Sequence, residues 1–120
     1  MNAHIVLSLA HILVFIPMLF YIGFSRASLS NVVYNIVLAA GLLMGLYHLM
    51  RLIKKMTAGM AGAWVNAIHV FAVAPLLVYI GMNKKDTPRS AYELLLMVAF
   101  AGLGYHMYSL VLETQVYDTA

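Results

Sequence analysis

Four apolar stretches, at about 3–24, 31–53, 60–82 and 91–112, dominate this 120-residue chain and decide what it can become. Each is close to the roughly 20 residues that an α-helix needs to cross a hydrocarbon core about 30 Å thick. Inside lipid a backbone has to satisfy its own N–H and C=O groups, so runs of this length close into helices. With 64% hydrophobic and 9% charged residues, the chain cannot cover a soluble domain with polar surface. The expectation is an integral, multi-pass, all-α membrane protein whose first partner is the lipid bilayer. The first stretch reads as a span of the mature chain and not as a cleaved signal peptide. No basic segment precedes it, and the third stretch is its counterpart.

That correspondence extends through the chain at an offset of 58 residues. His11, Pro17, Tyr21, Ile22 and Gly23 return as His69, Pro75, Tyr79, Ile80 and Gly81. Without a gap, Tyr34, Leu38, Tyr47, His48 and Leu52 return as Tyr92, Leu96, Tyr105, His106 and Leu110. Residues 11–53 and 69–111 are only about a quarter identical, but the matches fall on His, Pro and Tyr, which are scarce in an apolar chain. The sequence therefore predicts one transmembrane domain over 1–120 made of two tandem helical hairpins, repeat 1 at about 3–53 and repeat 2 at about 60–112. A repeat with two spans keeps its orientation, so the copies are expected to be related by a pseudo-twofold along the membrane normal. The expected fold is an antiparallel four-helix bundle with both termini on the same side.

Charge and cysteine content narrow the function. The seven Lys and Arg residues lie outside the spans or at their ends, a headgroup and topology pattern and not a nucleic-acid footprint. Arg26, Lys84, Lys85 and Arg89 fall on one side and Arg51, Lys54 and Lys55 on the other, so positive charge leaves the orientation open. The absence of Cys removes disulfide exchange, thiolate metal sites and iron–sulfur clusters. No phosphate-binding loop, nucleophile–base pair or paired carboxylates occur, so no residue is assigned a catalytic step.

Local signals refine the elements. Pro17 and Pro75 lie inside spans, where each removes a donor and disturbs the carbonyl one turn back, at Leu13 and Phe71. An interruption at the same depth is expected in both copies. Ser30 or Asn31 is expected to cap the second helix, and Ser90 with Glu93 forms a capping-box pattern before the fourth.

Four of the five histidines belong to the repeated set: His11, His48, His69 and His106. An ionisable side chain within a membrane span is costly and marks a candidate site whose partner has to be named. His11 lies 13 residues before the end of its helix and His48 lies 17 after the start of the next, so their depths differ by about 6 Å. The repeat places His69 and His106 at the same two depths. His48 shares a helical stripe with Gly41, and His106 shares one with Ala99, two turns away, which leaves room beside each histidine.

Three readings follow. In the first, two level histidines related by the twofold, His11 with His69 or His48 with His106, ligate a b-type haem for electron transfer or sensing. In the second, all four form a nitrogen-rich site for Zn, Cu or Fe, or a proton path, as a binding or transport module. Ser8, Asn66, Tyr47 and Tyr105 are the candidate supporting groups. In the third, the histidines hydrogen-bond across helices or sit in the interfacial belt, and the chain is a structural or partner-binding protein. An electron carrier calls for a redox partner. A homo-oligomer is the other candidate partner, for which the exposed apolar girdle is no evidence, since the bilayer itself requires one.

The segments Trp64-Val65-Asn66-Ala67-Ile68-His69, Pro75-Leu76-Leu77-Val78-Tyr79-Ile80-Gly81, Thr87-Pro88-Arg89 and Gly104-Tyr105-His106 resemble small uncharacterised four-span membrane proteins of large DNA viruses that infect algae and protists. The resemblance lies mostly in the second half, implies no activity and leaves a viral origin open.

Overall fold

The computed structural model describes residues 2–118, with side chains through residue 115. Every regular element among the described residues is helical. Four helices are long and apolar enough to cross a membrane: α1 at Ala3–Ser28, α2 at Asn31–Thr57, α3 at Ala63–Asp86, and α4 at Arg89–Asp118, apolar through Gln115.

The helix ends follow local chemistry. Ser30 caps α2, its hydroxyl accepting from the Val33 N–H at 3.3 Å. At the other end α2 outruns the apolar stretch, because Lys54 and Lys55 are good helix formers and favour a helix C-terminus. It stops where Gly59 turns to φ 64°, with the Met60 N–H bonded to the Lys55 carbonyl at 2.9 Å, a Schellman closure. Gly62, at φ 84°, then starts α3. The fourth helix differs from the expected capping box. It begins at Arg89, just after Pro88, so Ser90 already lies inside the helix. The rigid ring of Pro88 suits a position just outside a helix start.

The interruptions at the prolines take a specific form. Residues His11–Phe15 of α1 and His69–Val73 of α3 are π-helical. The N–H of Ile16 reaches back to the His11 carbonyl and that of Ala74 to the His69 carbonyl. Proline cannot donate to the helix ladder and crowds the carbonyl four residues back, and a widened turn just before it relieves that crowding. His11 and His69 therefore each open a π-turn, while His48 and His106 lie in uninterrupted α-helix.

The chain divides into two compact units, Arg26–Ala91 and Met1–Ser25 with Tyr92–Ala120. In the first, α2 packs on α3. Gly81 lies on Leu38, Gly41 on Leu77, Gly45 on Ala74 and His48 on His69, so position rises along one helix as it falls along the other. A β-carbon on Gly81 would come within 2.6 Å of the Leu38 backbone nitrogen, and only glycine lets the two backbones approach so closely. Lipid is as apolar as the helix surfaces, so this fit, and not hydrophobic burial, holds membrane helices together.

In the second unit α1 packs on α4 with the same trend. Gly23 lies on Leu96, Phe20 on Phe100, Ile16 on Gly102 and His11 on His106. Near the chain terminus the Asn2 amide donates to Glu113 at 3.0 Å. Gly23 occupies the position of Gly81, but a β-carbon there would meet the Leu96 side chain first, Cδ2 at 2.6 Å and Cγ at 2.7 Å, with the Tyr92 carbonyl at 3.4 Å.

Candidate functional site: two imidazole stacks

Each unit brings two of the repeated histidines into face contact. In one, His48 of α2 stacks on His69 of α3, centroids 4.0 Å apart and planes 16° from parallel. In the other, His11 of α1 stacks on His106 of α4 at 4.1 Å and 22°. The 58-residue offset maps one stack onto the other, since His11 corresponds to His69 and His106 to His48. Each stack joins the two depths expected from the sequence and not two residues of equal depth.

The hydrogen bonds define which ring nitrogen is which. His11 Nδ1 lies 2.8 Å from the Leu7 carbonyl, and His69 Nδ1 lies 2.7 Å from the Val65 carbonyl. A carbonyl only accepts, so Nδ1 carries the proton in both rings. In the neutral imidazole Nε2 is then the lone-pair nitrogen. Both carbonyls stand four residues before their histidine and also take part in accepting its backbone N–H. The π-turn starting at the histidine shifts the ladder at this point, and the ring bond uses acceptor capacity next to the shift.

The α2–α3 unit adds a third such bond. His48 Nδ1 donates to Asn66 Oδ1 at 2.9 Å, and Asn66 is buried. This again leaves Nε2 as the lone-pair nitrogen, and ring nitrogens of His48 and His69 lie within 4.8 Å of each other. Ser8, at the position of Asn66, is likewise buried. No buried side-chain nitrogen or oxygen among the described residues lacks a hydrogen-bond partner. A buried polar group left unpaired would cost about 1–3 kcal/mol.

The remaining predicted residues divide by environment. His106 is buried, while His11, His48 and His69 are half-buried. At Gly41 the facing helix comes close, because a β-carbon would sit 2.9 Å from Leu77 Cβ and 3.1 Å from the Val78 backbone nitrogen. Ala99 is fully buried. Tyr47 and Tyr105 are exposed and meet the neighbouring histidine edge to face, at 5.2 and 5.1 Å. The exposed His4 stands outside both stacks.

Chemically, a stack offers limited coordination. An imidazole nitrogen binds a metal in the plane of its ring at about 2.0–2.1 Å. Two rings lying face to face direct their ring nitrogens side by side, not toward one another. The two rings of a stack also cannot flank a porphyrin, since the two Fe–N bonds alone span about 4 Å along one line. What sequence reading did not find was the role of the Leu7 and Val65 carbonyls. Its signal was present in both copies as a proline six residues after the histidine. Comparison with protein-family models, with curated proteins and with solved structures returns no match.

Proposed function

We propose that this chain is a membrane-embedded haem b protein in which His11 and His69 are the two axial ligands. In this reading two helical hairpins form an antiparallel four-helix bundle about a twofold along the membrane normal, with one ligand from each copy. The observation that carries it is the paired Nδ1–H bond to the carbonyl four residues back, at 2.8 Å for His11 and 2.7 Å for His69. Metal-ligating histidines characteristically donate the second ring N–H to a carbonyl or carboxylate, which holds the tautomer and the ring angle. A bis-His haem requires two such ligands.

His106 and His48 then act as ring supports, each stacked on the face of a ligand. Asn66 holds His48, and through it His69. When bound, haem supplies one-electron redox or small-ligand chemistry. The chain's own residues supply orientation, an apolar surrounding and exclusion of water. Electron transfer or sensing is the corresponding role, with a redox partner in the first case.

Absorbance of the protein purified from cells supplied with haem tests the reading. A Soret band that shifts on reduction is expected, lost in H11A and in H69A and retained in H48A and H106A. A colourless protein with stoichiometric Zn, Cu or Fe would replace haem with an ion site. A colourless and metal-free protein would leave the histidines a packing role.

A further inference from the structure

α1 and α3 each end in a single 3-10 turn whose first residue is a cation, Arg26 in Arg26–Ser28 and Lys84 in Lys84–Asp86. The two residues are again 58 apart. Both have φ 51°, and they are the only non-glycine residues with positive φ among those described. Side chains with a β-carbon are strained there, and glycine is not. Elsewhere the chain uses glycine for such turns, at Gly59 and Gly62. Two equivalent positions that would be easier for glycine thus carry long cationic side chains.

The surroundings hold both turns in place. They pack on one another within the Arg26–Ala91 unit. The hydroxyl of buried Tyr34 donates to the Arg26 carbonyl at 3.0 Å. Thr87 closes the second turn, its N–H donating to the Lys84 carbonyl at 3.1 Å and its hydroxyl to the Ile80 carbonyl at 3.3 Å. With Lys85 and Arg89, four cations stand against one acid, Asp86, across residues 26–28 and 84–89. The turns cap apolar spans, at the level where a bilayer presents its phosphates. Met82, 68% exposed two residues before Lys84, adds an apolar wall beside the charge.

We propose that the paired turns bind the headgroup phosphate of an anionic phospholipid, with Arg26 and Lys84 as the principal contacts and Lys85 and Arg89 framing them. A chain segment that only needed excess positive charge could carry it at unstrained neighbours such as Ala27 or Ser28. Placing it at the strained residue, twice, orients the side chains from a rigid base. The proposal is independent of any cofactor on the histidines.

The test is native mass spectrometry of the full chain released from nanodiscs of mixed dioleoyl-phosphatidylglycerol and dioleoyl-phosphatidylcholine. Wild type is expected to retain phosphatidylglycerol selectively. R26G/K84G removes charge and relieves strain together, so it should fold at least as well, yet lose that selectivity by roughly tenfold or more. K54Q/K55Q, at the far end of α2, should keep it. Should the glycine variant prove poorly folded, R26Q/K84Q reads the same loss with the strain retained. Equal retention in wild type and in R26G/K84G or R26Q/K84Q overturns the proposal. So does displacement of phosphatidylglycerol by millimolar inorganic phosphate to the level of phosphatidylcholine, which would mark a free-anion site.

Discussion

The α2–α3 unit and the α1–α4 unit use the same residues at the same offset, yet one is tied more firmly than the other. In α2–α3, Gly81 meets the Leu38 backbone and His48 is held by buried Asn66. In α1–α4, a β-carbon on Gly23 would meet the Leu96 side chain at Cδ2 and Cγ, with backbone no nearer than the Tyr92 carbonyl at 3.4 Å, and a serine stands where Asn66 would be. Positions matched at the 58-residue offset thus meet different neighbours in the two units, and the α2–α3 contact is the closer at backbone level.

The comparison can be broken most sharply at the ligands. Under the haem reading H11A and H69A each abolish the Soret band entirely, because a bis-His centre loses an axial bond either way. A band that survives one of them and not the other would show that the copies do not contribute equally. Next in size is the glycine pair. G81A forces two backbones apart and is expected to cost about 3 kcal/mol, whereas G23A needs only a leucine rotamer change and about 1 kcal/mol. Unfolding in mixed micelles by SDS titration measures both, and equal costs would refute the stiffness difference.

Smaller again is the polar support. N66A leaves His48 Nδ1–H without its acceptor and should destabilise by about 2 kcal/mol, with S8A nearer 1. If His48 steadies a ligand, N66A also moves the midpoint potential in a redox titration and S8A moves it less. The smallest effect is expected from Y34F, about 1 kcal/mol, through loss of the hydroxyl bond to the Arg26 carbonyl. An unchanged SDS midpoint would mean that the strained turn holds its shape without that bond.

Much of this architecture is legible from single residues and their neighbours. Hydropathy marks all four helices, and Ser30 caps the one it was expected to cap. Helix ends are less legible, because polar helix formers such as Lys54 extend α2 beyond its apolar stretch and Pro88 starts α4 before Ser90. Pro17 and Pro75 announced an interruption but not its kind. Whether a helix kinks or widens depends on what its carbonyls find nearby, and here the repeated histidines bond to carbonyls of the preceding turn. Arg26 and Lys84 carry no sequence signal of positive φ, since lysine and arginine are ordinary residues at a span end.

The chain's own order of residues determined that there would be membrane-length helices and that the histidines would recur at matched positions along them. These properties follow from hydration of individual side chains and from the 1.5 Å rise of a helix, neither of which needs a partner. Tertiary structure decided that His48 meets His69 and His11 meets His106, and that Gly81 faces a helix backbone where Gly23 faces mainly a side chain. Ring contact depends on how far each helix is rotated about its axis against its neighbour. That rotation is set by the summed fit of many facing side chains, which no local stretch of sequence contains.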